Sequence, residues 1–89
     1  MAEWRAIMLE TEQAKKDMIL KPKAGERTFR QLLRQHGADG MIYFKRAEAW
    51  QALGEAEKAL GDYRKAEALF PMEAWKARAR EGIRHCERQ

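Results

Sequence analysis

The stretch GEAEKALGDYRKAEALFP, from Gly54 to Pro71, decides the fold. Small and aromatic residues recur in it at the spacing that places side chains on one face of an α-helix. These residues are Ala59, Tyr63, Ala66, Leu69 and Phe70. Gly54 breaks the chain before the run, and Pro71 ends it because proline cannot continue a helix. Alanine lets a neighbouring helix come close, so Ala59 and Ala66 are predicted at tight helix crossings.

A second helical stripe lies immediately upstream, between Met41 and Leu53. Its inner positions are Tyr43, Ala47, Trp50 and Leu53. The segment Gly54–Ala56 separates the two stripes and is predicted to be a loop. Two amphipathic helices joined by so short a connection form an antiparallel hairpin.

This hairpin resembles the tetratricopeptide repeat, a helix-turn-helix unit of about 34 residues. Tyr43, Ala47 and Trp50 fit the bulky, small and aromatic positions of the family's first helix. The second half of the pattern is matched by Ala59, Tyr63, Ala66 and Pro71. Arg46 departs from the pattern, because the family prefers leucine there. Residues 40–73 therefore resemble one complete repeat.

A rival register of the same family exists. Trp50, Leu53 and Gly54 also resemble the opening of a repeat, which would place the turn between the helices at Gly61–Tyr63. That register puts Pro71 inside a helix, at a cost of about 3 kcal/mol. The first register is therefore favoured.

Composition indicates an all-α protein. The 89 residues include fifteen alanines and no valine, serine or asparagine, and alanine is the strongest helix former. No apolar run is long enough to span a membrane, and no signal peptide is recognisable. Cys86 is the only cysteine, so no disulfide can form within the chain. A cytoplasmic protein is expected.

The remaining breakers predict three further helices. Helices are expected over 3–20, 24–36 and 73–88, with loops at Lys21–Lys23, Gly37–Gly40 and Pro71–Met72, and with Asp39 or Gly40 as a cap. The predicted inner positions of these helices are Trp4, Ile7, Met8, Thr11, Ala14, Met18, Ile19; Phe29, Leu32, Leu33, His36; and Trp75, Ala79, Gly82, Ile83, Cys86.

The first two helices resemble a degenerate repeat over residues 1–39. Phe29 lies one repeat length of 34 residues before Tyr63, but Gly25 replaces the alanine equivalent to Ala59. Residues 74–89 would be a capping helix, since an end repeat otherwise exposes its apolar face. The resemblance implies a single domain, 1–89: a short superhelix of about two repeats plus the cap.

No catalytic or metal-binding pattern is present. His85 and Cys86 lack the spacing of zinc ligands, and Cys86 is predicted to be a small buried packing residue. Without serine, a serine nucleophile is excluded. The protein is therefore expected to be neither an enzyme nor a carrier of a cofactor or metal.

The resemblance implies a groove that binds a partner peptide. In the family, the first helices of successive repeats line this groove. The equivalent residues here, with one from the last helix, are Met41, Phe44, Glu48, Gln51, Ala52 and Arg78. Some family members hold a terminal carboxylate with lysine and asparagine, but Phe44 and Glu48 stand at those positions, so that clamp is not expected.

Phe44 has two open interpretations: a binding anchor on an otherwise polar line, or a side chain covered by another helix. The last helix carries a net charge of +3 over residues 74–89, which suits an acidic protein or peptide partner. One alternative is a self-assembling protein whose groove is filled by another copy. Nucleic acid is a further alternative, disfavoured because the basic residues lack interleaved exposed aromatics.

Overall fold

The computed structural model describes the backbone of residues 2–88 and the side chains of residues 4–88. The chain forms five α-helices over that range and no strand, as predicted: α1 (Ala2–Leu20), α2 (Pro22–His36), α3 (Gly40–Ala52), α4 (Ala56–Leu69) and α5 (Glu73–Glu87). The termini of the predicted domain, Met1 and Gln89, lie outside the described residues.

The breaks between the helices fall near the predicted breakers, with one correction. Lys21 alone separates α1 from α2, because α2 begins at Pro22 and not after Lys23. Proline is well suited to the first position of a helix, where its missing N–H would have no partner. Asp39 caps α3 as predicted: its carboxylate accepts a hydrogen bond of 2.9 Å from the Met41 amide.

Most of the packing joins helices that are consecutive in the chain, but of the two helices that precede it, α3 packs mainly on α1 and much less on α2. α1 packs against both α2 and α3, α3 packs against α4, and α4 packs against α5. One hydrophobic core runs through all five, built largely from the predicted inner positions. Its fully or nearly fully buried members are Ile7, Ala14, Met18, Phe29, Leu32, Met41, Ile42, Phe44, Ala47, Ala49, Trp50, Ala59, Tyr63, Ala66, Phe70, Ala79 and Cys86.

Ala59 and Ala66, predicted at tight crossings, are both fully buried. At the α1–α2 crossing the helices come closer still. A Cβ atom at Gly25 would lie 2.2 Å from the Met18 Cα atom. Backbone cannot move aside as a flexible side chain can, so only glycine fits. The absence of alanine at this position thus has a steric reason.

Three residues of the predicted inner stripes are exposed instead. Trp4, Ile19 and Leu69 each keep about 40% of their surface accessible. All three lie near a helix end, where less of the neighbouring helix remains to cover them. Trp4 still contacts the core, since its ring meets the Trp75 ring edge-on at 6.1 Å.

The rival repeat register is wrong. It requires a turn at Gly61–Tyr63, but α4 runs unbroken from Ala56 to Leu69. The chain leaves the helix before Pro71, as the favoured register predicts.

A buried ion pair joins α3 to α4. Asp62, only 5% exposed, accepts two hydrogen bonds from the Arg46 guanidinium, at 2.7 and 2.9 Å. The hydrogen bonds to Asp62 raise the pKa of Arg46. A carboxylate so deeply buried needs a paired cation. Arg46, which departs from the family pattern, therefore satisfies a charge that the opposite helix buries.

Asp62→Ala should lower the free energy of unfolding by about 3 kcal/mol, because it leaves the Arg46 charge without its partner in a mostly dry site. Urea denaturation measures the change. The double variant Arg46→Leu with Asp62→Leu removes both charges and should recover most of the loss. A single variant as stable as the wild type would show that the pair contributes nothing.

Candidate functional site

A cleft of about 460 Å³ lies between α3 and α5, with one residue of α4 at its base. Its lining residues are Phe44, Lys45, Glu48, Gln51, Tyr63, Arg78, Glu81, Gly82 and His85. On α3 and on α5 these positions recur at intervals of three or four, so each helix presents one continuous side to the cleft.

Four of the six predicted groove residues meet in this cleft: Phe44, Glu48, Gln51 and Arg78. Met41 does not, and its prediction as a lining residue is wrong. It is 0% exposed, because it lies one helical turn before Phe44 and belongs to the same core. Ala52, the last residue of α3, is exposed but lies outside the cleft lining.

The floor of the cleft is aromatic. Phe44 is 7% exposed, with its ring centroid 5.7 Å from that of Tyr63, 5.8 Å from Phe70 and 6.1 Å from Trp75. All three contacts are edge-to-face, the favoured geometry for aromatic pairs. Phe44 is therefore a core residue whose remaining edge forms the floor, and its interpretation as a protruding anchor is wrong.

Tyr63 connects this floor to the polar wall of α3. Its hydroxyl donates a hydrogen bond of 2.7 Å to Oε1 of Gln51. Burial, reinforced by the negative charge of Glu48, raises the pKa of Tyr63 above its ordinary value. A tyrosine is protonated at neutral pH even without this shift, and its hydrogen bond orients the Gln51 side chain at the edge of the cleft.

Gly82 allows α5 to approach the floor. A Cβ atom at this position would lie 2.5 Å from Cε1 of the Tyr63 ring. Any larger residue would push α5 away from Tyr63 and change the width of the cleft. Gly82 was predicted as an inner packing position, and the structure adds that it sets one wall of the site.

The charges on the α3 side of the cleft are already paired. Lys45 Nζ lies 2.7 Å from Glu12 and 3.5 Å from Glu48, and Glu48 also lies 3.4 Å from Lys15. The hydrogen bond from Lys45 lowers the pKa of Glu12. This network ties α3 to α1 and leaves the α3 wall close to neutral.

On the α5 side of the cleft, Arg78 is a cation that can still pair with a ligand. Within the described side chains Arg78 forms no ion pair, and its guanidinium lies 4.9 Å above the centre of the Trp75 ring. Glu81, in contrast, is paired with Arg84. Arg78 is thus an exposed cation, oriented by an aromatic ring, at the rim of the cleft.

Neighbours of Arg78 on α5 were missed by sequence reasoning. Glu81, Gly82 and His85 lie three, four and seven residues after Arg78, which is the spacing of one helical stripe. That spacing could have identified them once Arg78 was chosen. His85 lines the cleft whereas Cys86 is buried in the core, so the two point to different surroundings. Burial raises the pKa of the Cys86 thiol.

Comparison with protein-family models, with curated proteins and with solved structures found no match for this chain. Among residues 4–88, no three His, Cys, Asp or Glu side chains are grouped so that they could hold a metal ion. In the same part of the chain, no helix combines the length and the apolar character needed to cross a bilayer.

Phe44→Ala should lower the free energy of unfolding by about 3–5 kcal/mol, the usual range for a buried phenylalanine. The loss arises because three aromatic contacts disappear together. Urea or thermal denaturation followed by circular dichroism measures it. Ala52→Gly, on the exposed last position of α3, is the control and should cost about 1 kcal/mol or less. A Phe44→Ala protein as stable as this control would restore the exposed-anchor interpretation.

Proposed function

We propose that this protein is a non-catalytic protein-interaction module that binds a peptide segment of a partner in the cleft between α3 and α5. The observation that carries the proposal is the cleft itself, with its aromatic floor and its walls from two helices. Binding sites commonly combine such an apolar floor with a few oriented polar groups. Gln51 and Arg78 are groups of that kind here: Gln51 accepts a hydrogen bond from the Tyr63 hydroxyl, and Arg78 lies over the Trp75 ring.

The resemblance to tetratricopeptide repeats supports this location. In that family the first helices of successive repeats line the concave groove. α3 is the first helix of the matched repeat, and α5 follows α4 where the first helix of a further repeat would stand. The cleft is lined by these two helices, with only Tyr63 contributed by α4. We therefore propose a short array of two repeats closed by α5.

The free charge at the cleft indicates an acidic partner. Lys45 and Glu48 are engaged in the network with α1, and Glu81 is engaged with Arg84. Arg78 is left to meet a carboxylate, and a guanidinium can bind one through two parallel hydrogen bonds. The proposed ligand is an extended segment with an acidic side chain at Arg78 and an apolar side chain over Phe44 and Tyr63.

Arg78→Glu should weaken binding of such a segment by about tenfold or more, because a carboxylate would then face a like charge. The probes are acidic-apolar and acidic-aromatic peptides selected on an array and measured by isothermal titration calorimetry. Arg88→Glu makes the same charge change at an exposed residue outside the cleft and should leave affinity nearly unchanged. Equal affinity for all three proteins, or no peptide binding by the wild type, would contradict the proposal.

Self-assembly is a second candidate function, favoured by a different surface. A groove of about 380 Å³ lies between α1 and α2, lined by Leu9, Glu10, Gln13, Ala14, Asp17, Thr28 and Leu32. Two large apolar side chains of α1 are exposed on this face: Leu9 is 74% exposed and Leu20 is 80% exposed. Stacked helical hairpins bury such faces against a neighbour. We propose that a second copy of the chain covers this face. At the C-terminal end, α5 covers the corresponding face within the same chain.

Leu9→Glu should abolish this association, because it puts a charge into the buried centre of the contact. Multi-angle light scattering over a range of concentrations gives the oligomeric state. Met72→Glu is the matched control: it also replaces an exposed apolar residue with glutamate, but next to α5. A wild-type protein that stays monomeric at every concentration would remove this candidate and leave the cleft proposal intact.

A further inference from the structure

The outer face of α2 carries four basic residues in one line. Lys23, Arg27, Arg30 and Arg34 follow each other at steps of four, three and four residues, which places them along one side of a helix. All four are exposed. We call this line the basic stripe. At a rise of about 1.5 Å per residue, it extends over roughly 16 Å.

The basic stripe points directly away from the core. The buried residues of α2 are Gly25, Phe29 and Leu32, each two positions from a member of the stripe. Two positions correspond to about 200° around a helix, so the two lines lie on opposite sides. One side of α2 therefore holds the helix in the fold, and the other is free to contact a partner.

The basic stripe has no internal counter-charge. None of its four side chains forms an ion pair within residues 4–88. Glu26, the only acidic residue of α2, forms no ion pair with any of the four within the same residues. The helix α5 is different, because Arg80 and Arg84 are both paired with glutamates.

We propose that the basic stripe binds the phosphate backbone of a nucleic acid duplex. Three of the four cations are arginines, whose planar guanidinium donates paired hydrogen bonds to phosphate. Gln31 and Gln35 are exposed next to Arg34 and line a shallow hollow with it. Amide side chains of this kind also donate to backbone phosphates. The stripe thus presents a row of phosphate donors on a rigid helix.

Three other kinds of partner fit the basic stripe less well. A membrane-binding helix inserts an apolar face between lipid headgroups, but the apolar face of α2 is buried in the core on the side opposite the cations. A protein interface depends on buried aromatic or apolar anchors, and the one phenylalanine of α2, Phe29, is buried, while the helix has no tyrosine or tryptophan. The same lack of an exposed ring disfavours stacking on single-stranded bases. The partner that fits the basic stripe is therefore a duplex, bound through its phosphate backbone and without sequence preference.

The salt dependence of binding tests this proposal. Four phosphate contacts predict that the affinity for a duplex of about 20 base pairs falls by about a hundredfold between about 50 and about 200 mM salt. Fluorescence anisotropy with a labelled DNA duplex gives the affinity at each salt concentration. The triple variant Arg27→Gln, Arg30→Gln, Arg34→Gln keeps one contact, so its affinity should fall only about fourfold over the same range.

The matched control changes the same number of charges elsewhere. Arg64→Gln, Arg84→Gln, Arg88→Gln alters exposed residues of α4 and the end of α5 and should retain the steep salt dependence. Circular dichroism establishes that both triple variants are folded. Equal loss of binding in the two variants would overturn the proposal, because attraction would then follow net charge and not the stripe. So would an absence of duplex binding at about 50 mM salt, or binding to phosphatidylserine vesicles but not to the duplex.

Discussion

The packing of one ring, Phe44, is the constraint on which the rest of the structure depends. This side chain of α3 meets Tyr63 from α4, Phe70 from the end of α4 and Trp75 from α5, and Trp75 in turn contacts Trp4 of α1. Four of the five helices are thereby joined through a single aromatic cluster. The candidate cleft is the outer edge of the same cluster, so its floor is inseparable from the core. Residues at the rim, such as Arg78, are the ones that selection or mutagenesis can change without unfolding the protein.

The sequence predicts the helices well because their limits are set locally. Gly54, Pro71 and the pair Lys21–Pro22 interrupt helical stripes, and interruptions of this kind depend only on neighbouring residues. The sequence does not predict which side of α3 is most deeply buried. Tyr43 lies on the stripe of Ala47 and Trp50, whereas Phe44 lies about 100° from Tyr43, to one side of that stripe. The choice between them depends on where α5 packs, which no local pattern contains. Phe44 is buried, whereas Tyr43 is only partly buried, with Arg46 and Lys65 near its ring.

The pairing of charged residues is likewise not predictable from the local sequence. Arg46 departs from the repeat pattern, and nothing next to Asp62 in the sequence indicates that its carboxylate is buried. The packing of α3 on α4 accounts for both residues, because it pairs their charges. The glutamates near the cleft are likewise paired with residues distant in the chain. Glu12, for example, forms an ion pair with Lys45. Composition gives a net charge of +4, but it does not say which cations are neutralised. The fold neutralises most of those around the cleft and leaves those of α2 free.

The spacing of four, three and four places the basic stripe on one side of α2, but the sequence does not show which basic residues lack a paired carboxylate. The C-terminal helix is also basic, with a net charge of +3 over residues 74–89, but its Arg80 and Arg84 are paired with glutamates. Paired arginines, however, attract an outside anion much less than unpaired ones, because the nearby carboxylates cancel their field. α2 and α5 make no contact with each other in the described chain, and substitutions at sites without shared partners usually act independently. The cleft and the basic stripe can therefore be changed separately.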